Sequence, residues 1–253
     1  MTTAEQTAGP SRFDTSRVVA RMVEFLRRRG FALAALSLVI VGAPTAGLEW
    51  IEEAYLSTIV PYDSVLGSVA LGELRGLVDG VLSAVMLGWV VPRMAAAATG
   101  DAGARRGLSI GRFGLLVAGS LVVTFCVSGA LCLLVVPGVL LSLAWAMWAP
   151  VLVTETPGIG EALNRSVELT RGHRGAMFLA FLAVFVAYGI ALLFAAKGSL
   201  VNAGRDPVYR FGLFPAILAG QYAIQAVLTS SFYVELVTFK DGGFRSHLAS
   251  VFD

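Results

Sequence analysis

Glu155, Glu161, Arg165, Glu168 and Arg171 crowd into one short stretch between two long apolar runs. Glu161 and Arg165 are four apart, so on a helix they share a face and can pair, and Glu168 and Arg171 can do the same. On a solvated face each such pair contributes only about a few tenths of a kcal/mol. Glu155 stands apart because it closes an apolar run, where pairing with Arg174 or Arg165 would fix the angle between that run and the next helix. The chemistry open to this stretch is recognition, by docking a protein or gripping lipid headgroups. Asp79 is a lone carboxylate inside another apolar run, and an ionisable group so placed is a functional candidate by default. It could carry a proton; the plainer account is that it pairs with Arg75 one turn away or reaches the membrane surface. Gln221, Tyr222 and Gln225 lie in a third apolar run, placed to hydrogen-bond a neighbouring helix or to line a polar cavity.

The remaining reactive side chains are not arranged for catalysis. Cys126 and Cys132 share one apolar run; six helical residues separate them by about 9 Å of rise, too far for a disulfide. The chain has two histidines, His173 and His247, with no metal-ligand spacing around either. There is no glycine-rich phosphate loop, metal-binding His/Glu helix, serine elbow or cofactor fingerprint, and no basic patch interleaved with aromatics to suggest nucleic acid. The expectation is a non-enzyme without a cofactor or metal and without a nucleic-acid partner.

The elements that position these groups are set by hydropathy. The 253 residues are 57% hydrophobic and 14% charged, with a mean hydropathy of +0.77, against about 25% charged in soluble domains. Apolar runs near membrane-spanning length, separated by charged patches, predict an all-α polytopic membrane protein with six transmembrane helices. The runs are about Phe31 to Leu48, Gly76 to Val91, Phe113 to Val135, Val139 to Thr154, Ala176 to Lys197 and Phe211 to Thr238. Residues 1–30 form a terminal segment whose basic helix, Ser16 to Gly30, lies in the membrane interface. Residues 31–240 form the membrane domain, and 241–253 a soluble tail.

Pro92-Arg93 stops the second span, Pro137-Gly138 turns the third into the fourth, and Pro150 kinks the fourth near its end. Gly72, Gly76, Gly80, Ala84 and Gly88 recur at every fourth position of the second span. They form a smooth seam for close helix packing, within the bundle or against a second copy. Between spans four and five an amphipathic interfacial helix is expected, capped by Thr156, with Pro157 first and Gly172 closing it. Ile159, Ala162, Leu163 and Ser166 mark one of its sides. All Lys and Arg residues except Arg75, Lys197, Arg205 and Arg210 fall on the side that holds both termini, which places the termini and that helix in the cytoplasm.

The stretch from Pro137 to Gly172 resembles the membrane domain attached to some bacterial glycerophosphoryl diester phosphodiesterases, which also occurs as stand-alone proteins. The shared pattern is Pro137-Gly138, Pro150 and Glu155, then Glu161-Ala162-Leu163, Arg165-Ser166, Leu169-Thr170 and Gly172. Phe232-Tyr233-Val234-Glu235-Leu236, with a Lys-Asp-Gly tail after it, and the final Val251-Phe252-Asp253 are also similar. The resemblance covers the last two thirds of the chain and implies a six-span fold in the bacterial inner membrane; it implies no settled activity. His173-Arg174-Gly175 repeats a tripeptide that opens the catalytic domain of those enzymes, but the chain lacks the acidic ligands and second histidine that its chemistry needs. The expected function is a scaffold or accessory factor with membrane lipids and a protein at the cytoplasmic helix as partners; the alternative is a small transporter for an amphiphilic or lipid-derived solute.

Overall fold

The computed structural model describes residues 13–56, 65–99, 110–155, 158–196 and 206–241. Among them the chain forms helices joined by turns, with no strand, and six helices are long and apolar enough to cross a membrane. We label the regular helices α1 (Thr15–Ser37), α2 (Ala43–Ile51), α3 (Val65–Thr99), α4 (Ile110–Leu133), α5 (Val135–Ala144), α6 (Trp148–Thr154), α7 (Ile159–Thr170), α8 (Arg174–Ala195) and α9 (Phe214–Lys240). Span one joins α1 to α2 through a π-turn at Leu38–Gly42, span four joins α5 to α6, and span six is α9 with the π-turn before it. The expectations for Arg105, Arg106, Thr156, Pro157, Lys197, Arg205 and the tail beyond Asp241 lie outside the described residues.

Span six is the hub. Spans one, two and five all pack on it, and from Ala226 to Val237 every residue is buried. Such a run has no lipid-facing side, and it buries Thr229, Ser230, Ser231 and Glu235 along with its apolar residues. Span five is the opposite case: Met177 is its one buried residue, while Leu179, Phe185 and Phe194 are exposed. Without water to drive them together, apolar helices associate in lipid through close packing and hydrogen bonds. That close packing is visible at Gly80, where a side chain would collide with Thr124 of span three, and at Gly119, where the Trp148 ring fills the space. The seam of small residues is therefore covered, at Gly80, by the chain's own third span; Ala84 and Gly88 are buried, and Gly72 faces open space.

Several boundaries differ from the sequence expectation, each for a physical reason. No interfacial helix ends at Gly30: the first helix runs unbroken from Thr15 to Tyr55, 41 residues, or about 60 Å, twice the hydrocarbon thickness. A single glycine costs a helix only about 1 kcal/mol, and Val18, Phe25 and Leu33 hold both halves of this helix in the core. Pro92 does not end span two, which continues to Thr99; Arg93 donates a side-chain bond to the Trp89 carbonyl at 2.7 Å and stacks over the Trp89 ring. The turn between spans three and four is at Leu134, whose backbone is extended. Pro137 and Gly138 instead sit in the first turn of α5, where a missing N–H costs nothing.

Span four breaks rather than bends. Its helix opens at Trp145 to Met147 and resumes at Trp148. Pro150 offers no N–H to the Ala146 carbonyl and its ring crowds that position, so the break falls in the turn before the proline.

Candidate functional site

The break in span four leaves polar backbone groups exposed in a buried place, and α7 supplies what they need. The Ser166 hydroxyl accepts from the Met147 N–H at 3.0 Å and donates to the Ala144 carbonyl at 2.8 Å. The Thr170 hydroxyl donates to the same carbonyl at 3.4 Å. One side of α7, with Ala162, Ser166, Leu169 and Thr170, is buried against spans four and six. The expected inner side of Ile159, Ala162, Leu163 and Ser166 is thus rotated: Ile159 and Leu163 are only partly buried. The helix is docked on the bundle and not merely laid along a surface. It begins after an extended Gly158, and it ends where Gly172 takes φ +89°, a conformation that suits glycine alone.

The charges around α7 form one network. Arg165 donates to Glu155 at 3.0 Å and to Asp241 beyond span six, and its other contact is Glu168 at 3.7 Å. Burial opposes the charge on Arg165, but Glu155 and Asp241 together hold its guanidinium above the ordinary arginine value. The expected Glu161–Arg165 pair does not form, because two carboxylates outside the helix give Arg165 a better-buried site. Glu168 likewise faces Arg165 and not Arg171. Glu155 occupies the role foreseen for it, tying the end of span four to α7, and it also accepts from the Tyr233 hydroxyl at 2.6 Å. Tyr233 in turn meets the Thr154 hydroxyl at 2.5 Å. Lys240 donates to the Glu168 and Arg171 carbonyls, closing the last turn of α7 from span six.

Two groups at this end were not singled out from sequence as partners. Glu235 is completely buried, and Arg17 and Arg21 of α1 reach it at 3.0 Å and 2.9 Å. The signal was present: a carboxylate in the middle of a buried run demands a cation, and arginines four apart on α1 could supply two. His173, just before α8, lies between Phe13 and Phe239, with ring centroids 4.4 Å and 5.4 Å away. Burial and then the nearby Lys240 charge lower its imidazole below the ordinary value. The histidine of His173-Arg174-Gly175 therefore lies in an aromatic slot, and among the described residues no group of His, Cys, Asp and Glu could hold a metal.

The remaining polar candidates lie at the opposite, acidic end. Arg75 is bound by Glu49 at 2.6 Å and by Glu52 at 2.5 Å, both from span one, and its charge also acts on Asp79 one turn away. Arg210 joins the same cluster through Glu49 at 3.3 Å and Glu53 at 3.0 Å. Asp79 is half-buried, and Tyr222 of span six also interacts with it. Gln221 and Gln225 are half-buried on span six, and among the described residues no hydrogen bond brings either to Asp79. Cys126 and Cys132 are free and exposed on span three. Comparison with protein-family models, with curated proteins and with solved structures finds no match to this chain.

Proposed function

We propose that this is a non-enzymatic scaffold or accessory protein of the bacterial inner membrane, a stand-alone relative of the phosphodiesterase membrane domain it resembles, with both termini and α7 in the cytoplasm. The observation that carries the reading is the investment in α7. Ser166, Thr170, Arg165, Glu155, Tyr233, Asp241 and Lys240 all hold that one short helix in a fixed position. What the arrangement leaves outward is Glu161, Asn164, Glu168 and Arg171, a rigidly presented polar ridge. A rigid element offers a partner a surface with little ordering cost. Membrane lipids surround the spans, and a second copy could meet the open end of the seam at Gly72. Among the described residues no hydrogen bond joins Asp79 to Gln221 or Gln225, and this favours the scaffold over transport.

Purification in native lipid followed by mass spectrometry tests it. A reproducible protein partner, lost from an E161K/E168K variant that still folds, is the expected result. A stoichiometric small solute in place of a protein would overturn the scaffold in favour of a transporter. Orientation is tested separately, by a C-terminal fluorescent fusion that matures only in the cytoplasm; a dark fusion with an active alkaline phosphatase at the same position would reverse it.

A further inference from the structure

Arg27, Arg28 and Arg29 of the first helix take no part in the networks at either end of the bundle, and all three are exposed. Glu24 pairs with Arg28 one turn away, and among the described residues no carboxylate reaches Arg27 or Arg29. The register of the helices fixes their depth. Phe13 and Phe239 both pack on His173 at the start of span five. Further in, Phe181 of span five lies 6.3 Å from Phe232 of span six, and Arg17 and Arg21 meet Glu235. The first helix then stays on span six as far as Gly42, where an added methyl would lie 3.6 Å from the Pro215 carbonyl and 3.7 Å from the Ala219 methyl. The arginine triplet falls between these two contacts, about 9–12 Å beyond Arg21 along the helix. It therefore lies deeper than Phe181, which is itself about two turns inside span five. The triplet does not project from the bundle. Val19, Val23, Arg27 and Phe31 are four apart and share one face, and all are exposed, Phe31 at 91%. The arginines thus interrupt an outward face that is apolar on both sides.

We propose that Arg27 and Arg29, with Arg28 between them, bind the phosphate groups of anionic phospholipids. A guanidinium set in an apolar face loses solvation and needs an anion. Lipid is what covers the outward face of a membrane-crossing helix, and the anion it carries is phosphate. Arginine reaches toward headgroups along its apolar stem, and its fork of N–H donors engages two phosphate oxygens at once. Three arginines less one glutamate leave a net charge of +2 on this turn and a half of helix. That excess selects a lipid of net negative charge over a zwitterionic one, whose ammonium group would add a further cation. Val19, Val23 and Phe31 bracket the site and offer apolar contact to the acyl chains. The site is on the first helix, apart from α7; it rests on the reading of the chain as a membrane protein and not on the scaffold.

Electron spin resonance of chain-labelled lipids, with the full chain in phosphatidylcholine vesicles, tests the site by measuring which lipid is preferred at the protein surface. Wild type should prefer phosphatidylglycerol to phosphatidylcholine by at least about threefold. R27Q/R29Q should lose at least about half of that preference, and R27K/R29K, which keeps the charge without the fork, should lie between the two. Equal affinity for both lipids in wild type overturns the proposal, as does a preference that R27Q/R29Q retains. Loss of the preference in inorganic phosphate, but not in chloride of equal ionic strength, also overturns it, since a free anion would then hold the arginines. A benzoylphenylalanine in place of Phe31 identifies the occupant directly on illumination. A lipid adduct is expected; an adduct to another protein or to a second copy in place of lipid overturns the assignment. Thermal melting of R27Q/R29Q separates a lost site from a lost fold, and if that variant melts early, R27K/R29K and the cross-link at position 31 carry the test.

Discussion

Ser166 does the work of two residues. Its hydroxyl closes both sides of a broken helix in a place without water, where an unsatisfied backbone group costs about 1–3 kcal/mol. Ser166→Ala should destabilise the protein by about 2–4 kcal/mol, read as a lower midpoint in thermal or denaturant melting. Ser142→Ala is the control, because among the described residues Ser142 bonds only the Val139 carbonyl of its own helix and its loss should cost less than about 0.5 kcal/mol. His173 gives a prediction with a sign. Its imidazole is held below its ordinary value, so as pH falls the unfolded chain takes up the proton first. The stability it contributes is complete above about pH 6.5 and is lost as pH falls through the lower folded value. Melting of wild type and His173→Phe across this range should show a loss in the wild type that the phenylalanine variant lacks, since phenylalanine keeps the aromatic slot filled.

At the scale of elements, the spans were legible because hydrocarbon thickness fixes their length and composition, and every one of them forms. The punctuation was not. Pro92 lies inside a helix and Pro150 acts three residues upstream of itself, because a proline states only that one N–H is missing, and the surroundings decide what happens to the carbonyl. Amphipathic pairing misled in a similar way. Glu161 and Arg165 have the right spacing, but local spacing is worth about a few tenths of a kcal/mol, and a buried site formed by Glu155 and Asp241 outweighs it. Gly172, by contrast, could be read directly as the stop of α7. Its φ of +89° makes Gly172→Ala cost about 1–2 kcal/mol, with the loss concentrated in α7: hydrogen exchange should rise from Val167 to Arg171 while span six stays protected.

Across the whole molecule, charge is sorted by end and by depth. The acidic end ties spans one, two and six together through Glu49, Glu52, Arg75 and Arg210. The opposite end ties the first helix to the last through Glu235 with Arg17 and Arg21, and span four to α7 and the end of span six through Glu155, Arg165 and Asp241. Sequence could count these charges and assign them to sides, but their pairings join residues far apart in the chain. Glu235→Gln removes a wholly buried charge and leaves two arginines without that carboxylate, which is costly even though both are partly exposed. The expected outcome is faster amide exchange over Arg17 to Phe25 with the six spans intact in proteolysis; unchanged exchange there would mean that apolar packing alone holds this half of the helix.

Because Ser166 completes span four, that span cannot be finished by the ribosome in the order it is made. When Glu155 emerges, the backbone at Ala144 and Met147 still waits for a hydroxyl that is synthesised later. The translocation machinery must therefore hold an incomplete segment, or its surroundings must hydrate it, until α7 folds back. A chain cut after Glu155 should accordingly insert span four poorly and be degraded quickly, whereas one cut after Gly172 should insert it well; pulse labelling of the two truncations in membranes would measure the difference.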